Sequence, residues 1–201
     1  MVNSSVTLQQ LVIASGNAGK IAEFQEYLAD LGVELLAKPQ ELDVEETGTT
    51  FLANAHLKAS QVALATGQWA LADDSGLEVM ALNGAPGVLS ARYAATDAQR
   101  IGRILAELEG NQNRAAQFVC AIAIATPDGK IAAEAVGICP GEITYAPRGD
   151  RGFGYDPIFS PTSHLPFTFG ELAPDIKGAI SHRAKALAIL RPQLVNLTGL
   201  I

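Results

Sequence analysis

A layered α/β fold with a mixed sheet is what the sequence predicts, on three observations. Short apolar runs alternate with segments of helical period along the chain, the pattern of strands and helices that share one core. The hydrophobic fraction is 48% and the charged fraction 17%, so no long stretch is expected to stay disordered. At 201 residues a single core is still the expectation, and residues 1 to 201 are read as one domain.

Leu11-Val12-Ile13-Ala14 is the first strand, followed by the loop Ser15-Gly16-Asn17-Ala18-Gly19-Lys20. Ile21, Phe24, Tyr27, Leu28 and Leu31 then recur at helical spacing, and Gly32 stops that helix. Val33 to Leu36 reads as a second strand, and the polar, acidic stretch Pro39 to Thr49 as a loop. Leu52, Ala55, Ala59 and Val62 predict a helix over Thr50 to Thr66, ended at Gly67. Trp69 to Ala72 is a short buried strand with Asp73 and Asp74 at its end. Turn residues Asn83 to Gly87 lead into an ordered loop, and Asp97 is the expected cap of a helix over Ala98 to Leu108. Ala116 to Ala125 and Lys130 to Ile138, around Thr126-Pro127-Asp128-Gly129, read as two antiparallel strands. The last helix is expected over residues 179 to 190, ending before Pro192.

Charge and composition exclude several functions. With 14 Lys+Arg against 21 Asp+Glu the net charge is −7, which offers no broad basic face to a nucleic-acid backbone. Phe118 to Ala125 is the longest apolar run, far short of the roughly 20 residues that span a bilayer. Met1 to Gln10 carry neither a basic start nor an apolar block, so no secretory signal is expected. Cys120 and Cys139 have neither zinc-site nor redox-pair spacing, and Cys120 reads as a buried thiol. A cytoplasmic enzyme or binding protein is the resulting expectation.

Several groups carry chemistry. The Ser15 to Lys20 loop follows a strand and opens a helix, where free N–H groups and the helix dipole favour an anion. Its glycine spacing is not that of a P-loop, and a plain turn with a solvated Lys20 is the alternative. Asp73 and Asp74 alternate to opposite faces of a strand, at the place where open α/β sheets bind ligands. Glu45 and Asp74 are the candidate carboxylates for a hard divalent cation that also takes phosphate oxygens. Lys58 lies among Phe51, Ala55, Val62 and Ala65 on its helix; it either snorkels to solvent or aims its charge at a phosphate or an acid. Phe153-Gly154-Tyr155-Asp156 sets two aromatics and a carboxylate behind Gly152, and is either a packed loop or a platform for a base. Lys177 and Ser181-His182-Arg183 place donors and positive charge at the start of the last helix, where Ser181 is also a cap.

Taken together, Ser15 to Lys20, Glu45-Glu46-Thr47-Gly48, Asn54 to Lys58, Asp73-Asp74-Ser75-Gly76, Gly87 to Tyr93, Gly152 to Pro157 and Ser181-His182-Arg183 resemble the Ham1 family of inosine/xanthosine triphosphate pyrophosphatases. The resemblance implies an elongated mixed sheet flanked by helices, two lobes with a central active-site cleft, and a homodimer. It implies hydrolysis of non-standard purine nucleotides, ITP, dITP and XTP, to monophosphate and pyrophosphate, with magnesium as cofactor. By the same resemblance Ser15, Gly16, Asn17, Ala18, Gly19 and Lys20 match the triphosphate loop, Glu45 and Asp74 the metal site, and Asp74 the proton acceptor. Lys58, the other catalytic candidate, is read with Lys20 and magnesium as charge that meets the leaving pyrophosphate. Ser75, Phe153, Gly154, Tyr155, Asp156, Lys177, His182 and Arg183 match substrate contacts. Ser15 stands where threonine is frequent and keeps the hydroxyl. The rival readings are a nucleotide sensor without turnover, a pyrophosphatase for other nucleotides, and an acidic interaction protein.

Overall fold

The computed structural model describes residues 8–199; the expectation about a secretory signal rests largely on Met1 to Thr7 and lies outside them. Strands β1 (Gln10–Ile13), β2 (Glu34–Ala37), β3 (Trp69–Val79), β4 (Ala115–Ala125), β5 (Ile131–Ile143) and β6 (Phe159–Pro161) form one sheet in the order β2-β1-β3-β4-β5-β6. Helices α1 (Ala18–Leu28), α2 (Phe51–Thr66), α3 (Asp97–Glu107), α4 (Pro174–Ile180) and α5 (His182–Thr198) complete the mixed α/β fold. β1 pairs in parallel with both β2 and β3, whereas β6 runs antiparallel to β5.

Two compact units share the strands β3, β4 and β5. The first takes in the chain up to Asp74, Ala121–Val136, and the chain from Ala186 on. Its strand order 2-1-3 follows from two crossovers made in opposite directions, from β1 out to β2 and back across β1 to β3. Right-handed connections then put α1 and α2 on opposite faces of β1 and β3. Phe24 and Leu28 of α1, and Ala55, Ala59 and Val62 of α2, are the buried faces that seal the sheet. The second unit, Ser75–Cys120 and Gly137–Lys185, has its own core around Leu77, Ile104, Phe118, Ile158, Phe159 and Phe169.

β6 covers only Gly141 to Ile143 of β5, which leaves the earlier part of that strand as an edge. In the first unit Gln193 of α5 covers part of it, accepting from the Glu134 N–H at 3.4 Å and donating to the Glu134 carbonyl at 2.9 Å. A side-chain amide thus stands in for a neighbouring strand and blunts an exposed edge.

Three expectations need correcting. β3 does not stop at Ala72 but continues to Val79, because Leu77 and Val79 are both 0% exposed and keep the strand in the core. Asp73 and Asp74 therefore lie inside a strand, not at its end. The last helix is two elements: α4 ends at Ile180, and α5 starts at His182 and passes through Pro192. Proline removes the bond to the carbonyl four residues back and costs about 3 kcal/mol in a helix interior. Here that carbonyl belongs to exposed Ala188, while buried Leu190 and Leu194 hold both sides of the proline in one helix.

The third correction concerns α3. Its cap is Thr96, whose hydroxyl accepts from the Gln99 N–H at 3.2 Å while the Gln99 side chain accepts from the Thr96 N–H. This reciprocal capping box leaves Asp97 as the first helical residue, with its carboxylate free for other partners. Thr96→Ala is expected to cost about 1 kcal/mol, a fall in Tm of about 2–4 °C for a chain of this size, measured by thermal unfolding.

Candidate active site

In the first unit, β1 ends in the turn that opens α1, beside the point where the strand order reverses. Open α/β sheets bind ligands at this place. Asn17 caps α1, and its side-chain oxygen accepts from the Gly19 and Lys20 amides at 2.9 and 3.2 Å. The Asn17 N–H in turn reaches the Ser15 hydroxyl at 3.2 Å. Three of the amides that the sequence offers to an anion, those of Asn17, Gly19 and Lys20, are therefore already occupied, and the exposed turn presents the Gly16 and Ala18 backbone with the Lys20 ammonium.

Lys20 is not solvated freely. Its Nζ lies 2.8 Å from Asp73 Oδ2, and the Asp73 side chain is 0% exposed. Asp74 points the other way, as strand alternation requires, to α2. There Asn54 Nδ2 donates to Asp74 Oδ2 at 2.9 Å, and Lys58 Nζ stands 3.9 Å from Asp74 Oδ1. Lys58 also binds Glu46 Oε1 at 2.6 Å. The Glu45 to Gly48 segment reaches this cluster because Gly48 donates its N–H to Asn54 Oδ1 at 2.7 Å. A Cβ at Gly48 would meet Asn54 Oδ1 at 2.6 Å and Ala53 Cβ at 2.9 Å, so only glycine permits that approach.

Burial pushes the Asp74 carboxyl above the usual carboxylate range. Lys58, the Asn54 hydrogen bond and Lys20 pull it back, and Glu46 adds to the rise. The cluster is thus a buried carboxylate of raised basicity, held by an amide on one oxygen and faced by an ammonium on the other. Glu45 is exposed beside the half-buried Glu46. Asn54 and Glu46 were not singled out as single residues by the sequence. The signal for Asn54 was present: it precedes Lys58 by one helical turn on the same face, a polar residue among buried ones.

The second unit holds the remaining candidates. Asp156, 3% exposed, accepts through Oδ2 from the Phe153 N–H at 2.8 Å and from Lys177 Nζ at 2.7 Å. The Lys177 ammonium also lies 4.7 Å from the centroid of the Phe153 ring, a cation–π contact. Tyr155 is buried and donates its hydroxyl to the Ser90 carbonyl at 2.9 Å, and burial raises its phenol well above the ordinary range. Phe153 remains 37% exposed, so of the loop's two aromatics one anchors and one is presented. His182 stacks on Phe118 at 4.7 Å between centroids with 12° between planes. Arg183, 2% exposed, donates through Nη2 to Ser75 Oγ at 3.1 Å. Ser181 caps α5 through the Ala184 N–H at 3.1 Å.

A strand-to-helix turn at a strand-order reversal, backed by buried carboxylates with lysine partners, is the place where an open α/β fold of this class binds ligands. The chain belongs to the Ham1 family, whose model matches residues 11–193. A dITP/XTP pyrophosphatase of Nostoc sp. is 60% identical over 185 residues, 92% of this chain and 93% of its own. One from Synechocystis sp. is 58% identical over 176 residues, 88% of this chain and 90% of its own. Among solved structures, a HAM1 protein from Coxiella burnetii superposes with a TM-score of 0.86 at 46% identity, covering 93% of this chain and 98% of that one.

Proposed function

We propose that this chain is a nucleoside-triphosphate pyrophosphatase, hydrolysing ITP, dITP and XTP to the monophosphate and pyrophosphate by attack of water at the α-phosphorus. The observation that carries this reading is Asp74: a buried carboxylate of raised pKa, oriented by Asn54 and faced by Lys58. A general base is most useful when its pKa approaches the working pH, and burial moves Asp74 in that direction. The name carried by relatives of 60% and 58% identity, dITP/XTP pyrophosphatase, supports dITP and XTP among these substrates.

In this reading Asp74 Oδ1 takes the proton of the attacking water, because Asn54 already binds Oδ2. Charge developing on the leaving pyrophosphate is met by Lys58 and by Lys20, which Asp73 holds at 2.8 Å. Phe153 supplies a face for the purine. His182 and the buried Arg183 supply donors suited to a 6-keto oxygen, where the amino group of adenine would leave donors unpaired.

Magnesium and a homodimer are further parts of the proposal, carried from the family resemblance. Among the described residues no group of three or more His, Cys, Asp or Glu side chains is arranged to hold a metal. The carboxylates of Asp74 and Glu46 both face the Lys58 ammonium, and a hard cation that brings its own phosphate oxygens needs only one or two carboxylates. Asp74 and Glu45 would hold it, with Glu46 adjacent. When bound, such a cation would supply Lewis-acid polarisation of phosphoryl oxygens.

Product analysis by ion-exchange chromatography tests the reaction. ITP, dITP, XTP, GTP, ATP and dTTP are each incubated with and without magnesium. Monophosphate and pyrophosphate from the first three alone, with magnesium, are expected. Diphosphate and orthophosphate would mean attack at the γ-phosphorus and would remove Asp74 from its role; absence of any product would favour a sensor.

A further inference from the structure

The sequence offers Asp97 as a helix cap, and the fold gives that task to Thr96. The Asp97 carboxylate has two other partners. Its Oδ2 accepts from the Gly154 N–H at 2.8 Å, and its Oδ1 accepts from Arg100 Nη1 at 2.6 Å. Arg100 is itself fixed, donating through Nε to the Ala94 carbonyl at 3.1 Å. The side chain of Asp97 is 47% exposed, which leaves it little weight in the core.

Gly154 follows the presented ring of Phe153. Both flanking residues have left-handed backbone, with φ of +76° at Gly152 and +63° at Gly154. Glycines have no side chain to restrict them, so the direction of the ring between them depends on what grips the adjacent amides, together with the Lys177 ammonium 4.7 Å from its centroid. The Phe153 amide is gripped from within the loop by Asp156. The Gly154 amide is gripped from α3, by a residue 57 positions away in the chain.

We propose that Asp97 is a positioning residue for nucleotide recognition: by fixing the Gly154 amide it sets the direction in which the loop presents Phe153 to the purine base. This rests on the reading of Phe153 as the base platform. Asp97 acts on the base end of the substrate and leaves the triphosphate end alone.

The test compares Asp97→Ala, Asp97→Asn, Thr96→Ala and Phe153→Ala for KM with ITP, for inhibition by inorganic triphosphate, which has no base, and for Tm. Asp97→Ala is expected to raise KM for ITP about tenfold, the scale of one lost hydrogen bond to a charged group, with triphosphate inhibition unchanged. Asp97→Asn keeps an acceptor oxygen and is expected to restore most of the affinity. Thr96→Ala weakens the same helix end and is expected to lower Tm without moving KM. If Asp97→Ala binds ITP like wild type while Phe153→Ala does not, Asp97 has no positioning role and the base-platform reading stands. If Phe153→Ala leaves KM unchanged, the base-platform reading fails and takes the proposal with it. A shift in KM for Thr96→Ala equal to that of Asp97→Ala would reduce the effect to helix stability and overturn the proposal. Should Asp97→Ala not fold, amide hydrogen exchange in the wild-type protein decides: a protected Gly154 amide supports the grip, and one exchanging at the free rate overturns it.

Discussion

Asp74→Asn is expected to lower kcat for ITP by about 10³-fold while nucleotide binding stays measurable. The substitution keeps the shape and leaves an acceptor oxygen for Asn54, whose Nδ2 donates to Asp74 Oδ2 at 2.9 Å, but it removes the group that takes the proton. Stability should move the other way. Burial raises the Asp74 pKa, so the folded state holds this proton more tightly than the unfolded chain does. The stabilising contribution is then fully present below the ordinary carboxylate pKa, and it is lost as pH rises through the higher folded value. At neutral pH the metal-free wild type therefore carries the cost of a desolvated charge that the asparagine variant lacks. Thermal unfolding without added metal should find Asp74→Asn at least as stable as wild type at pH 7, with the advantage shrinking as pH falls through the raised folded value and gone below the ordinary carboxylate pKa. The pH profile of kcat/KM in the wild type should lose activity on its acidic side as Asp74 protonates. Turnover of Asp74→Asn at the wild-type rate would remove Asp74 as the base.

How much of this was legible depends on the distance over which each residue acts. Strand alternation was enough to separate Asp73 from Asp74, and the opposite placement of α1 and α2 turns that separation into two different lysine partners, Lys20 and Lys58. A lysine on an apolar helix face announced that it needed a partner. Its contact with Glu46 lies 12 positions away, through a loop whose path is set by Gly48 and has no period to read. The extension of β3 was hidden because Asp73 and Asp74 look like the end of a strand, and only the burial of Leu77 and Val79 in the second unit's core overrides that local signal. Pro192 misled for the same reason: a local rule gave way to buried leucines on both sides. Asp97 is the plainest case. Its role depends on a residue 57 positions away, and the capping signal it shares with neighbouring Thr96 gave no hint of that.

Asp156→Ala is expected to be the most destabilising single change at this site. The side chains of Asp156 and Lys177 are 4% and 13% exposed, and their 2.7 Å contact is the ion pair beneath the aromatic loop. Removing one partner of a buried pair leaves the other charge desolvated, at a cost of about 3–5 kcal/mol. For a chain of this size that corresponds to a fall in Tm of roughly 10 °C. The Phe153 amide loses its acceptor in the same step, so the fraction that remains folded should also bind ITP less tightly. The cause can be separated by a double-mutant cycle. If the loss comes from the stranded ammonium, Asp156→Ala/Lys177→Met should be more stable than Asp156→Ala alone, because both charges are then gone. If it comes from the freed Phe153 amide, removing Lys177 should restore nothing. Thermal unfolding of the four proteins distinguishes these, and an Asp156→Ala protein that unfolds at the wild-type temperature would show that the pair contributes no net stability to the loop.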